Sequence, residues 1–268
     1  MEDRLHKVFF ESDSYDTPYQ EKLGFLKKLL SHNQVFFTLN YINIVLRTRK
    51  KAITGRYDDK EWAESSYNIF KFIEKTGGRF HISGMEYIAE SPEPVVFFGN
   101  HMSTLETMIL PVIIVPHRRV TYVVKESLVR NPIFRDIMRS RDPIVVGRKD
   151  PRKDFETVMN RGMELLSKDM SIIIFPQSTR STEFKPEEFN TLGVKLAKKA
   201  GVKIVPIALK TDFWGQGRII KELGRVDSSK PIYIKFGEPF YVKGSGKDEN
   251  QRVIDFIATS LEKWKNIL

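Results

Sequence analysis

The chain has 268 residues, no cysteine and five histidines, and 44 lysines and arginines against 34 acids give it a net charge of +10. That length allows one substantial core with a small appendage, and the missing cysteines exclude disulfides, thiolate metal sites and cysteine nucleophiles, while the histidines keep no compact ligand spacing. The charge suits a phosphate-bearing ligand, an acidic carrier protein or an anionic bilayer, and no zinc finger, RNA-binding aromatic motif or helix-turn-helix signal directs it to nucleic acid.

The opening MEDRLHKVFFESD lacks the basic start, apolar centre and small-residue cleavage signal of an export peptide, so a cytoplasmic chain is the simpler reading. Residues 19 to about 51 read as helical. Their strongest apolar patch, Val35 to Leu46, is shorter than the roughly 20 residues that span hydrocarbon. Two readings stay open for it. Leu39, Ile42, Val45 and Leu46 recur at helical spacing and either pack on the core or enter a membrane interface. In the second reading Lys27, Lys28, Arg47, Arg49, Lys50 and Lys51 meet anionic headgroups.

A second helix is expected from Lys60 to Glu74, with Trp62, Ser66, Ile69, Phe70 and Ile73 on one face, before Gly77 and Gly78 interrupt it. Together the two form an N-terminal helical hairpin. The chain then divides into an N-terminal helical, interface-suited segment (1–78) and an α/β domain (79–268).

Beyond the hairpin the pattern shortens. Strands are expected at Arg79–Ser83, Val95–Phe98, Val120–Val124, Ile144–Val146, Ile172–Phe175, Lys203–Leu209 and Ile232–Phe236. Helices are expected at Ser103–Leu110, Lys153–Leu166, Phe189–Lys199 and Glu249–Trp264. Alternation of this kind predicts an α/β fold in which a central mixed sheet is flanked by helices. The stretch FWGQGRIIKELGRVDSSKP reads as an irregular connection or short hairpin.

Two stretches carry chemistry. In GNHMSTLETMILP, Ser103 and Glu106 match a capping box, in which Ser103 bonds the amide of Glu106 and the glutamate returns to the amide of Ser103. The same stretch also allows His101 to take a hydroxyl proton while Glu106 holds its other ring nitrogen. On one continuous helix His101 and Glu106 would point about 140° apart, so that partnership requires the histidine outside the helix, turned back across its start. Cap and histidine partnership do not exclude each other, but a single rigid Glu106 is not expected to reach every one of these partners at once. In IIIFPQSTRSTE, Arg180 offers planar donors suited to phosphate and the hydroxyls of Ser178 and Thr179 complete a cradle; the alternative is a strand exit with a solvated arginine.

NHMSTLE, VGRKD, FPQSTRS and VPIAL occur in the order found in the glycerolipid acyltransferase family, and the chain resembles its bacterial lysophosphatidic acid acyltransferases from about Gly84 through Phe240. The resemblance implies a general base at His101 with Glu106 as its orienting partner, where the family normally has aspartate. It implies acceptor recognition by Gly147 and Arg148, and a phosphate site at Ser178, Thr179 and Arg180, with Gln177 and Ser178 standing where the family has glutamate and glycine. It further implies a donor and acceptor region at Val205 and Pro206, and a basic group at Lys125 facing phosphate or developing negative charge. The implied reaction moves a fatty acyl group from an acyl-carrier-protein or coenzyme A thioester to the free hydroxyl of a lysophospholipid, foremost 1-acylglycerol 3-phosphate. No metal or other cofactor is implied. The expected setting is the cytoplasmic side of an anionic membrane surface, held peripherally or monotopically. Because Glu106 and Gln177 depart from the family pattern, a noncatalytic lipid-binding or scaffolding member is the alternative.

Overall fold

Short, wholly apolar runs build the centre of the fold. In the computed structural model, which describes residues 12–18, 34–177, 179–217 and 221–267, the strands are β1 (Ser14–Asp16), β2 (Phe80–Ser83), β3 (Val96–Gly99), β4 (Val120–Lys125), β5 (Ile144–Val146), β6 (Ser171–Ile174), β7 (Ile204–Lys210) and β8 (Ile232–Phe236). They join in one mixed sheet of order β1-β2-β8-β7-β3-β6-β4-β5. β7, β3, β6, β4 and β5 run parallel, and β8 is antiparallel to β7.

Strands such as VFFG, SIII and IVPIALK are buried at every position, as expected where helices cover both faces. Alternation then sorts their side chains. Phe97, Ile173 and Val205 face one core, whereas Val96, Phe98, Ile172 and Ile204 face the other.

The first core is covered by α1 (Gln34–Ile53), α2 (Asp59–Lys75), α3 (Glu86–Ala89) and α4 (Leu105–Ile114). α5 (Glu126–Arg130) and α6 (Arg135–Arg139) extend it beside β4. The second is covered by α7 (Pro151–Leu166), α8 (Leu192–Ala200) and α9 (Lys247–Lys265).

The expected hairpin is present as α1 and α2, and it shares the core of the sheet. Residues 19–33, the first half of the expected α1 with Lys27 and Lys28, lie outside the described residues. α1 carries two apolar faces: Phe37, Tyr41, Val45 and Thr48 are buried, while Val35, Leu39, Leu46 and Ile53 stay 51 to 65% exposed. Val45 therefore belongs to the core and not to the outward stripe. Among the described residues no helix is long and apolar enough to cross a membrane.

α2 begins at Asp58, whose carboxylate accepts from the amide of Glu61 at 2.9 Å. Its buried face contains Trp62, Ser66, Ile69, Phe70 and Ile73, the residues expected there. Ser66 explains a departure from the sequence pattern. The helix expected over Ser103–Leu110 runs on through Pro111, as α4, to Ile114. The Ser66 hydroxyl donates to the carbonyl of Met108 at 2.6 Å and accepts from the amide of Val112 at 3.0 Å. A neighbouring helix thus relays the backbone bond next to the proline, which lacks a donor of its own.

Pro206 lies within the strand expected over Lys203–Leu209. β7 runs through it to Lys210, and its carbonyl accepts from the amide of Gly237 at 2.9 Å. The 214–226 connection is hairpin-like, with a bridge between Trp214 and Val226.

Candidate active site

The parallel strands β3 to β7 present their carboxyl ends to one side of the sheet, where open α/β folds bind ligands. His101 follows β3, Lys125 ends β4, Arg148 follows β5, Gln177 to Arg180 follow β6, and Thr211 follows β7. Chain order scatters these residues and the sheet collects them.

The β3 exit is pinned in place. A Cβ at Gly99 would lie 2.5 Å from the carbonyl oxygen of Ile207, so only glycine permits this approach. The next residue, Asn100, continues the ladder with its side chain, donating to the carbonyl of Leu209 at 2.8 Å and accepting from its amide at 2.9 Å.

His101 then lies outside the helix, as its partnership with Glu106 requires. Its amide donates to Oε1 of Gln177 at 2.7 Å, its carbonyl accepts from the amide of Ser181 at 3.0 Å, and its ring stacks on Phe175 at 4.5 Å with 3° between planes. Nδ1 lies 2.9 Å from Oε1 of Glu106. An ionised carboxylate only accepts, so Nδ1 carries the proton and Nε2 the lone pair. The imidazole is a wall of the adjoining chamber.

Glu106 is fully buried. Oε1 also accepts from the amides of Met102 (2.6 Å) and Ser103 (2.8 Å), and Oε2 accepts from the hydroxyls of Ser103 (2.9 Å) and Thr211 (2.5 Å). Where a rigid Glu106 was expected to reach only some of its partners, one rotamer serves His101 and the helix start together. The cap differs in one detail, since Ser103 Oγ accepts from the amide of Leu105 at 3.0 Å. Burial alone would push the Glu106 carboxyl up, but hydrogen bonding to His101, the charge of His101, and the bonds from Thr211 and Ser103 outweigh it and hold it below the ordinary range.

Across the mouth stand two arginines. Arg180 donates from Nη1 to Thr104 Oγ1 at 2.7 Å and pairs from Nη2 with Glu222 at 3.2 Å. Arg148 is partly desolvated, which lowers its pKa, and the neighbouring positive charge of Arg180 lowers it further against the pull of Asp154. Asp154, in the first turn of α7, accepts from the amides of Gly147 (2.8 Å) and Arg148 (2.7 Å). The left-handed residue of this turn is Arg148, with φ of 57°. A Cβ at Gly147 would meet only Asp154 at an ordinary 3.8 Å.

These groups close one end of a chamber of about 720 Å³, within the range of ligand pockets. His101, Thr104, Lys125, Arg148, Thr179, Arg180 and Glu222 line its polar end. Val45, Trp62, Ile69, Met108, Leu128, Phe134 and Ile137 line its apolar body. Tyr122 also faces it, its phenol pushed well up by burial and by the charge of Glu106 and so held protonated. Val205 and Pro206 stand apart from this chamber, buried in β7 beside Phe97 and Phe98. Ser178 lies outside the described residues. Among those residues no cluster of three or more histidines and carboxylates is arranged to hold a metal.

Thr211, Gln177 and Phe175 complete the setting of the His101–Glu106 pair. Gln177 was visible in the sequence only as a departure from the family pattern. Thr211 carried no motif signal, since its role depends on β7 ending beside the β3 exit.

A family model described as Acyltransferase matches residues 79–210. The chain is 27% identical over 210 residues to the 1-acyl-sn-glycerol-3-phosphate acyltransferase of Pseudomonas aeruginosa, covering 78% of this chain and 75% of that one. It is 30% identical over 161 residues to the chloroplastic 1-acyl-sn-glycerol-3-phosphate acyltransferase of Arabidopsis thaliana, covering 60% and 41%. The crystal structure of the 1-acyl-sn-glycerophosphate acyltransferase PlsC from Thermotoga maritima superposes with a TM-score of 0.65 at 19% identity, over 88% of this chain and 95% of that one.

Proposed function

Because the chain belongs to the glycerolipid acyltransferase family and transfers an acyl group from a thioester to 1-acylglycerol 3-phosphate, giving phosphatidic acid, we propose that His101 Nε2 takes the proton of the acceptor hydroxyl. The oxygen then attacks the thioester carbonyl directly. The new ester forms as the carbon–sulfur bond breaks, and the proton passes from His101 to the departing thiolate. Glu106 fixes the imidazole and stabilises its charged form during transfer.

Arg148 and Arg180 take the acceptor phosphate, and Thr179 adds a hydroxyl. Arg180 releases Glu222 to do so, or shares its guanidinium between them. Lys125 faces the phosphate or the oxyanion of the reacting carbonyl. The apolar body of the chamber receives an acyl chain. The donor is a thioester of acyl-carrier protein or coenzyme A. Val35, Leu39, Leu46 and Ile53 on α1 rest in the interface of an anionic membrane on its cytoplasmic side. Arg49 has another task, since it pairs with Asp136 at 3.0 Å and ties α1 to α6.

The observation that carries this reading is the His101–Glu106 pair at the junction between an apolar chamber and two adjacent arginines. Matched assays with lysophosphatidic acid, glycerol 3-phosphate and neutral lysolipids, each with carrier-protein and coenzyme A donors, test it. Folded His101→Ala is expected to lose turnover with every pair. Equal turnover by the variant would sink the assignment.

A further inference from the structure

Next to the acyl chamber, α1 and α2 flank a second, solvent-open hollow of about 700 Å³ that the chemistry at His101 does not use. Arg47, Lys50, Lys51 and Arg56 line it with Glu61 and Glu64, so four cations against two carboxylates leave two positive charges in excess. Lys51 and Glu61 form an ion pair inside it. Lys50 and Lys51 also suit the carboxyl end of a helix dipole, and Arg56 donates from Nε to Thr54 Oγ1 at 3.2 Å in the turn beyond it, but neither accounts for Arg47, within α1.

Its position on α1 is informative. At about 100° per residue, Asn43 and Arg47 occupy the sector beside the outward stripe of Leu39, Leu46 and Ile53, on the side toward α2. Asparagine is a poor interior helix residue because its amide competes for backbone bonds, yet Asn43 faces this cavity. A cationic hollow with amide donors thus adjoins an apolar stripe, the order in which a bilayer presents headgroup and chain. The back wall is shared, since Ile44, Thr48 and Ser65 line both this cavity and the acyl chamber.

We propose that the α1–α2 cavity is a binding site for the phosphate headgroup of an anionic membrane lipid, separate from the acceptor site at Arg148 and Arg180. The lipid's chains run along the exposed stripe of α1, and the proposal rests on the reading of that stripe as membrane-facing.

Titration of the full-length protein in zwitterionic detergent with short-chain phosphatidylglycerol tests this, with inorganic phosphate as a parallel arm. The expected result is saturable binding of one lipid per chain. Arg47→Gln/Arg56→Gln is expected to weaken it on the order of thirtyfold, the effect of two cations facing an anionic lipid. Arg148→Gln/Arg180→Gln and a distant control, Lys263→Gln/Lys265→Gln, are expected to leave it intact. Asn43→Leu serves as a second groove variant if the double variant misfolds, and is expected to weaken binding as well.

Equal weakening by the distant control means diffuse attraction and overturns the proposal. Loss of binding in Arg148→Gln/Arg180→Gln places the lipid in the acceptor site and overturns it too. Inorganic phosphate binding as tightly as the lipid makes the groove a free-phosphate site, against the proposal. The titration requires no turnover, so its failure and a failure of the His101 assignment are separately visible.

Discussion

Glu106 holds His101 Nδ1 at 2.9 Å through the same oxygen that accepts the Met102 amide at 2.6 Å. Helix start and imidazole are therefore set by one buried charge. Glu106→Gln places an NH₂ group among donors, whichever way the amide turns, and removes the charge that stabilises an imidazolium. Turnover is expected to fall by about 10³ to 10⁴, as when a histidine base loses its carboxylate partner, with stability lower by about 2–4 kcal/mol.

The depressed Glu106 pKa gives this loss a pH signature. A folded-state pKa below the unfolded value contributes stability that is fully present above the ordinary glutamate range near 4.3 and is lost as pH falls through the folded value. Urea unfolding of wild type and Glu106→Gln is expected to differ most at pH 6 to 7 and to converge in acid. A difference that stays constant down to pH 3 would show that the carboxylate's ionisation is not what stabilises the fold.

Gln177 acts one step further from the chemistry. Its Oε1 takes the backbone amide of His101 at 2.7 Å, and the side chain is buried. Gln177→Leu leaves that donor unpaired at a cost of about 1–3 kcal/mol, and the backbone that aims the imidazole shifts. Turnover is expected to fall roughly 10- to 100-fold, as small misplacements of a catalytic group do, with little change in acceptor KM. An unchanged kcat with a raised KM would instead place Gln177 in acceptor binding.

Much of the fold was legible because apolar periodicity marks buried elements: β2 through β8 and the inward face of α2 follow from runs and spacing alone. The failures have local physical reasons. The helix expected to end at Leu110 runs on through Pro111 to Ile114, because Ser66 from another helix relays a backbone bond beside the proline. α5 and α6 are five residues each, too short for a period to register. At the site, His101, Glu106, Arg148 and Arg180 stood in motifs. Thr211 and Glu222 did not, because only tertiary structure brings a strand end and a distant loop to the motif residues.

Glu222 is expected to set the strength of phosphate capture. It and Arg180 are both largely buried and paired at 3.2 Å, so an acceptor phosphate competes with the carboxylate for the guanidinium. Glu222→Gln keeps the shape and removes the competing charge. Acceptor KM is expected to drop about threefold, a fraction of what a desolvated charge pair is worth, with kcat nearly constant. A rise in KM would mean that Glu222 chiefly orients Arg180 for the phosphate.

The outward stripe of α1 yields the last prediction. Leu39 and Leu46 are 62% and 51% exposed, whereas Val45 beside them is buried. Replacing both leucines by serine removes apolar area from the proposed membrane-facing stripe without touching the core. Each buried side chain of this size is worth about 1.5–3 kcal/mol in transfer, so flotation with liposomes is expected to weaken at least tenfold while thermal unfolding changes little. Val45→Ser is the contrasting variant: it opens the core and is expected to lower stability by roughly 1–3 kcal/mol. If the two leucine changes leave flotation intact, α1 does not meet the membrane through this face.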